Sequence, residues 1–185
     1  MRNLLPMLIL VSSLALACTE ETTPPPAATY EAVEEIIVGR CATNAASCHG
    51  GEGEGSGRLN FGRLLAAGAP LTDAMNGVEA CQYSQWSLVE PGNPEESWLM
   101  VKLVHEFDAD GNIVGFTADP SWDPGIAPDE SGSYPPSSCP LTVSGEISFG
   151  SNMPQIRGNP MPLNDEEIDV VRRWILAGAP GPSAG

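Results

Sequence analysis

Basic residues are scarce in this chain: eight Lys and Arg stand against 24 Asp and Glu, a formal net charge of −16. Such a surface repels phosphate backbones and anionic lipid, which argues against nucleic-acid binding and favours basic protein partners. Histidine is scarcer still, with two residues in 185. A hydrolytic site, which needs bases and acids poised near neutral pH, is poorly supplied. The sequence also lacks a G-x-S-x-G elbow, a P-loop and a GxGxxG helix start, and no internal repeat is evident. No catalysis is expected.

The apolar run Leu4 to Ala17 is too short to span a bilayer as a permanent helix. Arg2 precedes it and Ala15-Leu16-Ala17 ends it, so residues 1–17 read as a secretory signal peptide. Cys18 follows at once, and this arrangement resembles the bacterial lipobox, with Ala15 where Leu is more usual. The resemblance implies cleavage before Cys18 and lipidation of that residue, several acyl chains giving stable anchoring. The mature chain would keep seven basic and 24 acidic residues, a net −17. Thr19, where an Asp would retain many lipoproteins at the inner membrane, favours the outer membrane or its periplasmic side. Residues 18–28 then form the lipidated Cys and a proline-rich linker that stands the domain off the membrane.

Export bears on the remaining cysteines: Cys41, Cys48, Cys81 and Cys139. Free thiols rarely persist in an oxidising compartment, so each is expected to have a covalent fate. Four cysteines allow three disulfide pairings, and thioethers to a cofactor are a further route.

Eighteen prolines and twenty glycines predict long loops, while 42% hydrophobic content allows a core. One domain is expected over 29–180, followed by a tail at 181–185. Thr29 caps a helix with Tyr30, Val33, Ile37 and Cys41 on one face. A short apolar segment lies around Leu59 to Ala67. Asn93 reads as an N-cap, Pro94 as the first helical residue and Glu96 as the returning partner of a capping box, for a helix running to about His105. Residues 107–150, rich in Gly, Pro, Ser and Asp, predict turns or a hairpin. Within them Asp108-Ala-Asp-Gly-Asn112 reads as a hairpin turn, since the rest of a calcium loop is missing. Asn164 and Glu167 form a capping box for a helix over 164–177, with Ile168, Val171, Trp174 and Ile175 as its apolar stripe and Gly178 as its left-handed cap.

The chief chemical signal is Cys48-His49-Gly50, preceded by Cys41. A c-type haem site needs thiols to bond the vinyl groups and an adjacent His to ligate iron, usually as CxxCH. Here the spacing is C-x6-CH. The order Cys-His-Gly, Val89-Glu-Pro-Gly-Asn93-Pro94, Met153-Pro154, then Glu167-Ile168, Trp174-Ile175 and Gly178-Ala179, resembles the cytochrome c superfamily, notably small domains of exported bacterial lipoproteins. The resemblance covers roughly 30–180, apart from an inserted region at 107–150. It implies a mainly α fold: a cytochrome c-like small helical domain with long Gly/Pro-rich loops, whose terminal helices cross and pack. It implies haem c as cofactor, His49 as proximal ligand, Met153 as distal ligand, and single-electron transfer to redox partner proteins with basic docking surfaces.

Met161, before Pro162, is the rival distal ligand, although its place near the last helix suits packing. His105, in the last turn of its helix, suits the helix dipole better than a ligand role. The attachment stays open between thioethers from both Cys41 and Cys48, one thioether from Cys48 in a compact AxxCH register, and a Cys41–Cys48 disulfide with no haem attachment. A Cys81–Cys139 disulfide is compatible with each. The rival functions are a haem-free, disulfide-braced binding or structural module and a copper site, since Cys, His and Met suit Cu(I). Structural zinc would need Cys41, Cys48, His49 and a fourth ligand.

Overall fold

The computed structural model describes residues 24–42, 49–50, 59–107, 113–126, 153, 155–156, 159–160 and 162–183. The signal peptide, Cys18, the 108–112 turn and most of the 107–150 region lie outside them. So does any structural statement about Cys48, Cys139 or Met161.

Helix α1 spans Tyr30–Cys41, and Thr29 accepts the amide of Ala32 as its cap. Tyr30, Val33 and Ile37 are buried on one face, as their spacing requires. At the other end of the chain α5 spans Asp165–Leu176. Asn164 accepts the Glu167 amide at 2.9 Å, and Glu167 accepts the Asn164 amide at 3.0 Å, a complete capping box. The helix ends in a Schellman motif. Ala179 N–H donates to Trp174 O and Gly178 N–H to Ile175 O, with Gly178 at φ 95°.

The two terminal helices pack together. Ile168, Val171, Trp174 and Ile175 share one core cluster with Tyr30, Val33 and Ile37. Arg40 crosses between them to Glu167, at 2.6 Å. The middle of the chain is stitched onto this pair. Tyr30 Oη accepts the buried amide of Leu71 at 3.0 Å and donates to Glu34 at 2.7 Å. Gly92, in the Pro-Gly-Asn turn, donates its amide to Ile175 O at 2.7 Å.

Burial, and then the hydrogen bond to Glu34, push the Tyr30 phenol up to about 12. A folded-state value above the unfolded one means stability is full below about pH 10 and is lost as pH rises towards 12. Tyr30→Phe should cost about 1–3 kcal/mol at pH 7, because the Leu71 amide loses its acceptor. It should also flatten the alkaline decline. Urea melts at pH 7 and pH 11 check both.

Between the terminal helices the expected mainly α fold is corrected. Among the described residues, helices are joined by short antiparallel strand pairs, so this is a mixed α/β small domain. After α2 (Phe61–Ala66) and α3 (Thr72–Met75), strands β1 (Glu79–Ala80) and β2 (Tyr83–Ser87) form an antiparallel hairpin. Helix α4 spans only Trp98–Val104, and β3 (His105–Phe107) pairs with β4 (Ile113–Phe116). A third antiparallel pair joins β5 (Gln155–Ile156) and β6 (Asn159–Pro160).

The helix expected from Asn93 to His105 is also corrected. Asn93 caps a 3-10 turn at Pro94–Glu96, its side chain accepting the amide of Glu95 and its backbone carbonyl that of Glu96. Ser97 breaks the run in an extended conformation. Its hydroxyl accepts the amide of Glu90 and donates to Asn93 O. Local side-chain bonding thus competes with the helix ladder.

Candidate functional site

The described part of the predicted ligand set converges. A cleft of about 90 Å³, open at its mouth, is lined by Cys41, His49 and Met153 among largely apolar neighbours. Cys41 arrives as the last residue of α1, one turn beyond the buried Ile37. Met153 sits on the opposite side of the sequence, and its amide donates to Lys102 O at 3.4 Å.

His49 is held from several directions. Its carbonyl accepts the amide of Phe61 at 2.8 Å, which ties it to the start of α2. Its ring lies 5.4 Å from that of Phe61. Nδ1 is 2.9 Å from the carbonyl oxygen of Leu59. A carbonyl only accepts, so Nδ1 carries the hydrogen. Burial lowers the imidazole pKa, and the nearby charge of Lys102 lowers it further, against the opposing Leu59 bond. The ring is therefore neutral at neutral pH, and Nε2 keeps its lone pair. Imidazoles that ligate metals through one nitrogen are commonly oriented in this way through the other.

Sequence reasoning missed the rest of the wall. Trp98, Leu103 and Lys102 come from α4, Gln82 and Cys81 from the β1–β2 turn, and Leu59 and Phe61 from the start of α2. Lys102 is 3% exposed, its Nζ 4.1 Å from the centre of the Phe107 ring. Burial pulls its pKa down to about 7. The signal was available: one lysine stands in the run Trp98-Leu-Met-Val-Lys102-Leu-Val104.

No family model matches the chain, and neither a curated protein nor a solved structure does.

Cys81, which lines the cleft, is disulfide-bonded. His105 does not sit in a helical turn as expected. It is the first residue of β3, is buried, and engages Val101 O through Nδ1 and Asp123 through Nε2. With both nitrogens engaged it is not poised as a ligand. Among the described residues no three His, Cys, Asp or Glu side chains gather to hold a bare metal ion. Zinc or copper would have to draw on methionine or on residues outside that set. No described helix is long and apolar enough to cross a membrane.

Proposed function

We propose that this chain is a lipid-anchored, exported electron carrier that binds haem in the cleft of Cys41, His49 and Met153. The observation that carries the reading is that these three residues, distant in sequence, line one largely apolar cleft. Their chemistry fits the group: a neutral imidazole, a soft thioether and a thiol. Bound haem would supply an iron that takes up one electron and gives it back.

The chain's own residues set the terms. His49 would give Nε2 as proximal ligand, held in register by the Leu59 carbonyl. Met153 would give its sulfur, which favours ferrous iron and raises the reduction potential. Cys41, Cys48 or both would form thioethers. The apolar wall would exclude water from the iron. The acidic surface would steer docking onto basic partners, with an association rate that falls as salt rises.

The test is a reduced-minus-oxidised spectrum of the full chain made in a strain with haem-c maturation. Low-spin bands with a reversible one-electron couple are expected, and a chain with no Soret band contradicts the reading. Met153→Ala should remove only the sulfur-to-iron band. If that band persists, and Met161→Ala removes it, Met161 is the ligand.

A further inference from the structure

The terminal helices run antiparallel. Arg40, in the last turn of α1, pairs with Glu167 in the first turn of α5. At the other end of the pair Arg173, in the last turn of α5, donates from Nη2 to Pro26 O at 2.8 Å, four residues ahead of α1. Ala28 packs against the core cluster close by, and the Ser183 amide reaches Glu31 Oε1 at 3.5 Å. The segment that leads into α1 is thus fastened to this end of the helix pair. Pro24, Pro25 and Pro26 enter it with φ already fixed, which lowers the entropic cost of holding it there.

The cleft lies toward the opposite end. Ile37 and Cys41 line it, and they stand about 10 and 17 Å along the α1 axis from Tyr30. On a membrane this separation meets a limit of length. From Cys18 to Pro26 is eight residues (26 − 18), at most about 26–29 Å when fully extended. A compact domain of about 160 residues has a radius of gyration near 15 Å, hence a diameter of about 40 Å. With lipid on Cys18, the Pro26 end of the domain could rise no farther from the bilayer than that leash. Inverting the domain, so that its cleft end met the lipid, would lift the Pro26 end by about a full diameter, which the leash does not allow. Were Pro26 released, the leash would run to Tyr30, twelve residues (30 − 18) and about 40–43 Å, and inversion would come within reach. An acidic surface repelled by anionic lipid acts in the same sense as the short leash.

We propose that Arg173 clamps the tether at the end of the helix pair away from the cleft, so that the anchored domain holds its cleft off the bilayer and open to basic proteins dissolved in the surrounding compartment. The proposal rests on the lipid-anchor part of the proposed function and is independent of haem. Arg173 does not line the cleft; it is a positioning residue for the domain as a whole. Its second partner, Asp169 at 2.6 Å, steers the guanidinium from within α5.

The test uses the full lipidated chain in phosphatidylethanolamine–phosphatidylglycerol vesicles, with a fluorescent amino acid incorporated at one of two exposed sites. Leu176 marks the tether end. Gly39 marks the other, where an added side chain meets nothing within 4 Å. Gly39 adjoins Arg40, level with Glu167, and Leu176 lies nine residues or about 14 Å farther along α5. Energy transfer to a rhodamine-headgroup lipid reports the height of each site above the bilayer, and far-UV circular dichroism checks that each variant is folded. Transfer from Leu176 should exceed that from Gly39 about twofold or more, given that separation. Arg173→Gln should bring the two signals together. Asp169→Asn, which removes the ion pair and leaves Pro26 O in place, should keep them apart. Equal transfer from the two sites in wild type, or greater transfer from Gly39, overturns the orientation and leaves the anchor intact. A difference that survives Arg173→Gln, or that is lost equally in Asp169→Asn, overturns the clamp. A chain that does not float with the vesicles and carries no acyl mass overturns the lipid anchor, and the orientation with it.

Discussion

His49→Ala will abolish the low-spin haem spectrum of the matured chain, the largest functional effect expected of any single substitution. His49 would be the one imidazole ligand, since His105 is bound through both nitrogens elsewhere. The Leu59 carbonyl fixes the tautomer, and burial keeps the ring neutral, so Nε2 is ready to donate without first losing a proton. Alanine removes the ligand and the ring packed on Phe61 together. The spectrum should become high-spin or be lost, while secondary structure by far-UV circular dichroism is retained. His49→Gln, which keeps bulk and polarity, should fail equally. If either variant kept the low-spin bands, His49 would not be the proximal ligand. On the haem-free reading the same substitution would cost only some packing and change no visible absorption.

Trp174→Ala is expected to be the most destabilising core substitution. Trp174 is fully buried at the meeting of the terminal helices, and its Nε1 donates to Pro180 O at 2.9 Å. Truncating a buried Trp costs about 3–5 kcal/mol. A domain of this size has about 5–15 kcal/mol in all. The bond to Pro180 also pins the chain just after the Schellman turn, so its loss should loosen the C-terminal segment as well. Leu176, two residues on and 54% exposed, provides the control. Leu176→Ala should move the urea midpoint by less than about 0.5 kcal/mol equivalent. Similar midpoints for the two variants would mean that the terminal helices do not form the core of the fold.

Those helices were legible because their signals are local and redundant. Thr29 and Asn164 cap them, Glu167 closes a capping box, and the apolar stripes repeat at helical spacing. Gly178 was readable as a cap because a left-handed residue is cheap only for glycine. The next residue, Ala179, also has positive φ, at 46°, and nothing in its sequence announced that.

The sequence of the middle of the chain suggests more helix than the fold contains, for identifiable reasons. In α4, Trp98-Leu-Met-Val-Lys-Leu-Val104 is apolar nearly all round, so it carries no amphipathic period to mark its limits. Ser97 cut it short at one end. At the other, His105 turned into a strand, where Asp123 and Val101 satisfy its ring. The β1–β2 hairpin has no alternating signature, because Tyr83 is buried while Gln85 and Trp86 are not. Its aromatic rings pack sideways instead, Tyr83 stacking on Trp98 at 5.7 Å. That contact joins a strand to a helix and cannot be read from either alone.

The candidate site shows the same division. His49 and Met153 were legible as residue types in a motif order. Their convergence on a shared cleft, and Lys102 facing the same space, depend on long-range packing that no local pattern encodes.

The central claim is that the cleft holds haem bonded to the polypeptide. The full chain from a strain with haem-c maturation should be extracted with acid-acetone and its intact mass and Soret absorbance recorded together. The account predicts that the Soret band stays with the polypeptide, that its mass exceeds the lipidated chain's by one haem, and that Cys48→Ala sheds or weakens that attachment. A polypeptide with no Soret band and no haem mass, its cysteines recovered as disulfides, would contradict it.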